Sequence, residues 1–279
     1  MSINISIIFP IFSDLASLNY FKNQSKSLDS LSLSTLEIVV INDNSPYLKD
    51  KEIKEIISEI PNNISLKYLK LKKNKGPGHV RNLGIKQSNS HKYICFVDDD
   101  DKVNLQNILK VSKYSDTDFV ISPIYNSQNF NFINNKYYSF LGLWLLFFLG
   151  YVKTVAWNKI YKKSFLFKNN IYFSEYYLFE DEKFLINLLS SHSKNSYSFT
   201  KYPFVNMNKR IDSRSRSFKF ISLLTYILVQ LENFRFLIKK DPNLLPFWLL
   251  LFLPKSTLSV CIAYFRSFYL RRARRVCNK

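Results

Sequence analysis

The chain has 279 residues, 47% of them hydrophobic, enough apolar material to bury a large core and to exclude global disorder. Its formal net charge is +19, and residues 201–279, with 16 Lys/Arg against 3 Asp/Glu, carry +13 of it. Three cysteines without pairing or metal-like spacing and three scattered histidines argue against a disulfide scaffold and a zinc site, and for a reducing compartment.

The opening MSINISIIFPIF has no basic segment ahead of a cleavable apolar run, so no secretory signal is expected and a cytoplasmic protein is the default. Ile3–Phe9 reads as a strand and Asp14–Leu28 as a helix capped by Asp14. Strands are then predicted at Glu37–Ile41, Ser65–Leu69, His91–Val97 and Asp118–Ile124. Helices are predicted between them at Lys49–Glu59, with Ser45 as a cap, at Pro77–Gln87, where Pro77 suits a first turn, and at Val103–Val111. This alternation predicts an α/β fold with a mostly parallel sheet, whose ligands bind beyond the carboxyl ends of the strands. Pro10–Ser13, Asn42–Ser45 and Asp98–Asp101 all fall at such ends.

After Tyr125 the rhythm changes. Tyr137–Val152 runs 16 residues without a charge, short of the ~20 that span a bilayer, and is read as a buried or groove-lining helix, with an interfacial segment as the alternative. Glu180–Ser190 predicts a helix with an acidic first turn. Over Phe218–Lys240 the residues Phe220, Leu224, Ile227, Leu231, Phe234 and Ile238 recur at helical spacing and are expected to face a core. Asp241-Pro242 breaks the chain before the apolar Leu244–Pro254 and the basic tail Arg271–Arg275.

Chemistry concentrates in four places. In Tyr93-Ile-Cys-Phe-Val-Asp-Asp-Asp-Asp-Lys-Val103 four adjacent carboxylates repel one another and call for a cation, either Lys102 on a solvated turn or a bound ion. Asp98 and Asp100 alternate along the strand end and point to one side, as a Mg²⁺-type site shared with phosphates requires. Asn74-Lys-Gly-Pro-Gly-His-Val-Arg-Asn-Leu-Gly84 holds three of the five glycines and reads either as a helix-opening anion site with Arg81 as a fixed cation or as a plain glycine-capped loop. It lacks the Lys-Ser/Thr ending of a P-loop. Asp43 either accepts a hydrogen bond from a ring N–H such as that of uracil or caps the next turn.

In order and spacing these segments resemble the family 2 glycosyltransferases, inverting enzymes of the GT-A fold, from Ile3 to about Arg216. Ser6–Pro10, Asp43, the 74–84 run, Tyr93–Asp101, Trp157-Asn-Lys-Ile-Tyr161 and Phe179-Glu-Asp-Glu182 carry the resemblance; Asn42 departs from it, standing where an Asp is commoner. The resemblance implies a Rossmann-like sheet flanked by helices, with a catalytic domain over 1–216 (nucleotide-sugar half about 1–125, acceptor half about 126–216) and a basic helical extension over 217–279. It implies that Pro10, Phe12 and Asp43 line a nucleoside pocket and that Arg81 lies near the base or phosphates. Asp98 would approach the ribose, Asp100 hold Mg²⁺ or Mn²⁺, and Asp181 act as catalytic base. Asp99, Trp157, Glu180 and Arg210 are further expected at the substrates, and the ligand register within Asp98–Asp101 stays open.

The implied substrates are a nucleotide sugar, UDP-linked by expectation, and a saccharide or lipid-linked acceptor in surface polysaccharide or glycolipid synthesis. Basic residues interleaved with apolar stretches suit peripheral attachment to the inner face of the cytoplasmic membrane better than nucleic-acid binding, with a helical cap and solvated tail as the alternative. A nucleic-acid-binding protein would leave the acidic strand end unexplained. An inactive scaffold of the same fold is disfavoured by the presence of both Asp100 and Asp181.

Overall fold

The computed structural model describes residues 3–28, 35–124, 140–148, 151–175, 179–191, 197–206 and 220–240. The chain divides into two compact units, Met1–Asn208 and Lys209–Lys279. The first unit opens with β1 (Ile5–Ile11), α1 (Ala16–Ser25), β2 (Leu36–Asn42), α2 (Asp50–Ser58), β3 (Ser65–Lys70), α3 (Pro77–Gln87) and β4 (Tyr93–Phe96). It continues with β5 (Lys102–Val103), α4 (Leu105–Tyr114), β6 (Phe119–Ile121), α5 (Phe140–Phe148), β7 (Lys159–Lys162), α6 (Lys163–Lys168), α7 (Glu180–Ser191), β8 (Tyr197–Phe199) and β9 (Val205–Asn206). In the second unit, α8 spans Phe220–Lys240.

Seven strands form one sheet in the order β3-β2-β1-β4-β7-β6-β8. Strands β3, β2, β1 and β4 run parallel, β7 runs against both of its neighbours β4 and β6, and β8 is again parallel to β6. The small pair β5-β9 is antiparallel. The mostly parallel sheet flanked by helices is the predicted fold class, and its central strands have the expected composition. Ile5, Ile7, Ile8, Phe9 and Ile11 of β1 and Ile38, Val39, Val40 and Ile41 of β2 are all fully buried, so both faces of these strands are covered. Each such side chain contributes roughly 1.5–3 kcal/mol of burial.

The strand order turns back between β1 and β4: β2 and β3 lie on one side of β1, β4 on the other. That reversal leaves a crevice at the carboxyl ends of β1 and β4. Helix α3 lies flush on β1, because a Cβ at Gly84 would stand 2.4 Å from Ile8 Cγ2. Its N-terminus follows Gly76, whose φ of 85° is one that glycine adopts without strain.

Several expectations need adjustment. The first strand is shifted to Ile5–Ile11, and the helix predicted from Val103 begins at Leu105, because Lys102 and Val103 pair with β9 and Asn104 caps α4 by accepting from Asn107 N. Ser45 does not cap α2, whose N-cap is Lys49; its hydroxyl accepts from Tyr47 N and Leu48 N and donates to Phe12 O, closing a turn at the end of β2. Asp14 is likewise not the N-cap of α1, which is Leu15; its carboxylate accepts from Leu15 N and Ala16 N just ahead of the helix. In α5 the side chains of Leu143, Trp144, Leu146 and Phe147 are buried, and no helix of the described residues is long and apolar enough to cross a membrane.

Of the stripe expected to face a core in α8, Ile227, Leu231 and Ile238 are open to solvent and Phe234 is half-buried, while Tyr226, Val229, Gln230 and Asn233 are buried. Helical spacing identifies a face but not which side of the helix is covered. The predicted segments Leu244–Pro254 and Arg271–Arg275, and Arg210, lie outside the described residues.

Candidate active site

The crevice is assembled by a single aspartate. Asp99, 8% exposed in the turn after β4, accepts on Oδ2 from Phe12 N (3.0 Å), Ser13 N (2.6 Å), Ser13 Oγ (3.1 Å) and Asp14 N (3.1 Å). Burial pushes its carboxyl above the usual range, and the Ser13 and Phe12 amides oppose that push. Asp99 therefore turns inward and ties the loop after β1 to the loop after β4. Its neighbours Asp98 and Asp100 are the partly exposed members of the cluster, and Asp101 is buried.

A second carboxylate organises the other wall. Asp43, 4% exposed, accepts from Lys75 N (2.8 Å) on Oδ1 and from Gly76 N (2.9 Å) on Oδ2. Two of the amide groups in the glycine-rich run, those of Lys75 and Gly76, are thus taken by Asp43, and the two sequence signals meet in one contact. Phe12 stands at the rim, edge-on to Tyr47 with ring centroids 5.7 Å apart; Tyr47 is 71% exposed. Pro10 is half-buried near the end of β1, and Trp157 packs into the hydrophobic core at 4% exposure.

At the centre lies Arg81, on the first turns of α3 and 4% exposed. One terminal nitrogen donates to Asp98 Oδ1 at 2.7 Å; the other donates to Glu180 Oε1 at 3.0 Å and Asp181 Oδ1 at 3.1 Å. Burial works against its charge, but the three carboxylates override that and hold the guanidinium protonated. Arg81, read from the sequence as the fixed cation of an anion site, has three carboxylates as its partners. It joins the acidic end of β4 to the acidic start of α7.

Asp181 has 23% of its side chain exposed, enough for a small group to reach it. Burial pushes its carboxyl up to about 7; Arg81 and Lys159 pull the other way, and Glu180 and Asp98 add to the rise. Its backbone is set by Phe179, which carries a φ of 65°, a left-handed conformation that costs a bulky residue about 1–3 kcal/mol.

Three contributors escaped the sequence reading. Asn82 donates from Nδ2 to Phe173 O and accepts on Oδ1 from Phe173 N, both at 2.9 Å. The Phe173 ring stacks on Phe184 of α7 at 3.9 Å and lies 5.3 Å beneath the Arg81 guanidinium. The third is Lys159, fully buried in β7, whose ammonium donates to Lys153 O, Val155 O and Asn158 Oδ1 at 2.7–2.8 Å. Burial draws it down to about 7 and Asp181 opposes this; with all three protons accepted, the site is built for the cation. Asn82 and Lys159 sit inside the motifs Arg-Asn-x-Gly and Trp-Asn-Lys-Ile-Tyr, so a polar residue among buried neighbours was the available signal.

Among the described residues no group of three or more His, Cys, Asp or Glu side chains is arranged to hold a metal ion by itself. β4 ends at Phe96, so Asp98 and Asp100 lie in a turn and do not alternate along a strand as expected; both are partly exposed carboxylates, the ligand type a hard divalent ion takes together with phosphate and water. Arg81, Asp98, Glu180 and Asp181 together bring three carboxylates to one guanidinium, a surplus of negative charge that favours such an ion.

Residues 6–184 match the family described as Glycosyl transferase family 2. The chain is 28% identical over 220 residues to the minor teichoic acid biosynthesis protein GgaB of Bacillus subtilis, covering 75% of this chain and 23% of that one. It spans only 13–23% of the length of the curated relatives it matches. Among solved structures, Staphylococcus aureus TarS 1–349 in complex with UDP-GlcNAc superposes with a TM-score of 0.64 at 22% identity, covering 86% of this chain and 68% of that one. The mannosyltransferase PcManGT of Pyrobaculum calidifontis, in complex with GDP-Man and Mn²⁺, superposes with a TM-score of 0.58 at 13% identity, covering 94% and 74%.

Proposed function

The chain belongs to glycosyl transferase family 2, and on that premise we propose that it transfers a sugar from a nucleoside-diphosphate sugar to a hydroxyl of a saccharide or lipid-linked acceptor. The observation that carries this reading is the Arg81 bridge, because it draws Asp98 at the end of β4 and Asp181 at the start of α7 to one guanidinium. A strand-end carboxylate on the donor side and a partly exposed, raised-pKa carboxylate opposite it are the two elements that a single displacement at an anomeric carbon needs. A UDP-linked donor and a polymer of the teichoic-acid class are supported by the TarS complex and by GgaB.

In the proposed reaction the acceptor oxygen attacks the anomeric carbon, its proton passes to the Asp181 carboxylate, and the bond from that carbon to the diphosphate oxygen breaks, with inversion. A carboxyl raised to about 7 is matched to this work, since a general base is most effective with its pKa near the working pH. Arg81 holds Asp181 in place and keeps its ionised form accessible, and the Lys159 charge favours that form as well. Mg²⁺ or Mn²⁺ held by Asp100 beside Asp98 would supply the charge that stabilises the departing diphosphate. Asp43 and the 75–76 loop, with Phe12 and Tyr47 at the rim, would bound the nucleoside end.

The test is a panel of UDP- and GDP-sugars incubated with the chain and Mn²⁺, with nucleoside diphosphate release as the readout. Release or acceptor-dependent transfer from one of them is expected. Failure to bind or turn over any nucleotide sugar, with Mg²⁺ or Mn²⁺ present, would remove this reading.

A further inference from the structure

Helix α8 leaves apolar side chains in solvent that a helix of this length has every opportunity to bury. Ile227, Leu228, Leu231 and Ile238 are 46, 48, 52 and 42% exposed. At 3.6 residues per turn these four positions, together with Arg235 and Lys239, fall within an arc of about 120°. Arg235 and Lys239 are exposed as well. Tyr226, Val229, Gln230 and Asn233 occupy the opposite side and are 0–6% exposed. The exposed arc is therefore one face, with Ile227, Ile238 and Leu231 clustered on one side of it and Arg235 and Lys239 flanking Leu228 on the other.

An apolar stripe mixed with cations fits a surface that offers both hydrocarbon and negative charge. The unit that carries it is strongly basic: residues 209–279 hold 15 Lys/Arg against 3 Asp/Glu. The spacing of the stripe would also suit a helix from a second copy, but a second copy brings another net charge of +19 to the same face, and that repulsion disfavours it. We infer that this face of α8 lies on an anionic lipid surface, with Ile227, Leu228, Leu231 and Ile238 entering the headgroup–acyl boundary and Arg235 and Lys239 meeting lipid phosphates. The contact is interfacial and involves no crossing of the bilayer. It does not depend on the sugar-transfer reading, and lipid binding would stand if that reading fell.

The full chain is sedimented with phosphatidylcholine vesicles prepared with and without phosphatidylglycerol, and its oligomeric state is measured by light scattering. Binding to the phosphatidylglycerol vesicles is expected. The double variant Ile227→Ser/Leu231→Ser should lower the partition coefficient about tenfold or more, and Arg235→Gln/Lys239→Gln about fivefold per cation removed at low salt. All four positions are exposed, so melting curves of the variants should match the parent. No binding to anionic vesicles, or undiminished binding by the serine variant, overturns the inference. So does a dimer that the serine variant dissociates, since a second copy would then be what covers the face.

Discussion

Arg81 and Asp181 are joined at 3.1 Å although a hundred positions separate them, and the same guanidinium reaches Asp98 at 2.7 Å. In the proposed reaction one partner would supply the carboxylate that takes the proton, and the other would set at what pH that carboxylate is available.

Asp181→Asn removes the proton acceptor while keeping an oxygen toward Arg81. We expect kcat to fall by about 10²–10⁴, with nucleotide-sugar affinity retained. Isothermal titration with the donor beside a turnover assay separates the two. A variant that transfers sugar at the parent rate would exclude Asp181 as base.

The pH dependence follows from the raised carboxyl of Asp181. The base works ionised, so kcat/KM should rise with pH through about 7 and be lost below it. Removing the Arg81 charge as Arg81→Met takes away the opposing influence, and the acid limb should move up by about 1–3 pH units. The same variant leaves three partly buried carboxylates uncompensated and should cost roughly 1–3 kcal/mol of stability. An acid limb unmoved in Arg81→Met would show that another group titrates.

Asn82 touches no proposed reacting group and acts through Phe173. Asn82→Ala breaks two hydrogen bonds to a buried main chain, a loss of about 1–3 kcal/mol. Because Phe173 supports both Arg81 and α7, kcat should drop and the acid limb shift while donor KM changes little. A loss of stability with unaltered pH profile would leave Asn82 a purely structural residue.

Adjacent aspartates should respond in opposite ways. Asp99→Ala strips four donors of their acceptor and should lower stability by at least about 2 kcal/mol. Asp100→Asn should leave melting unchanged and weaken donor binding only when Mn²⁺ is present, with EDTA reproducing the defect in the parent. Equal melting losses in both variants would contradict the division of labour between them.

The helix Pro77–Gln87 was legible to its end residues, since Gly76, Pro77 and the glycine at 84 each answer a local backbone or packing demand. The first two units of strand and helix were likewise readable within a few residues, because continuous Ile/Val runs admit few other structures. What the sequence withheld is direction. Asp43, Asp99 and Arg81 were recognised as charged residues at strand and helix ends, yet their partners lie 17–100 positions away, and local pattern does not specify them. The α8 stripe shows the same gap: period marks a face, and only the rest of the fold decides whether it is covered.

Strand β4 also bears on how the chain is made. It is paired with β1 through Ile5 and Tyr93 and with β7 through Tyr93 and Lys162, so its two neighbours are far away in synthesis order. A growing chain must hold the apolar β1 without its second partner until residue 93 emerges, and β4 itself is half-clad until residue 162 follows. Such remote pairings slow folding and prolong exposure of sticky edges. Truncations ending between β4 and β7 should therefore collect in inclusion bodies, whereas those ending beyond β9 should stay dispersed.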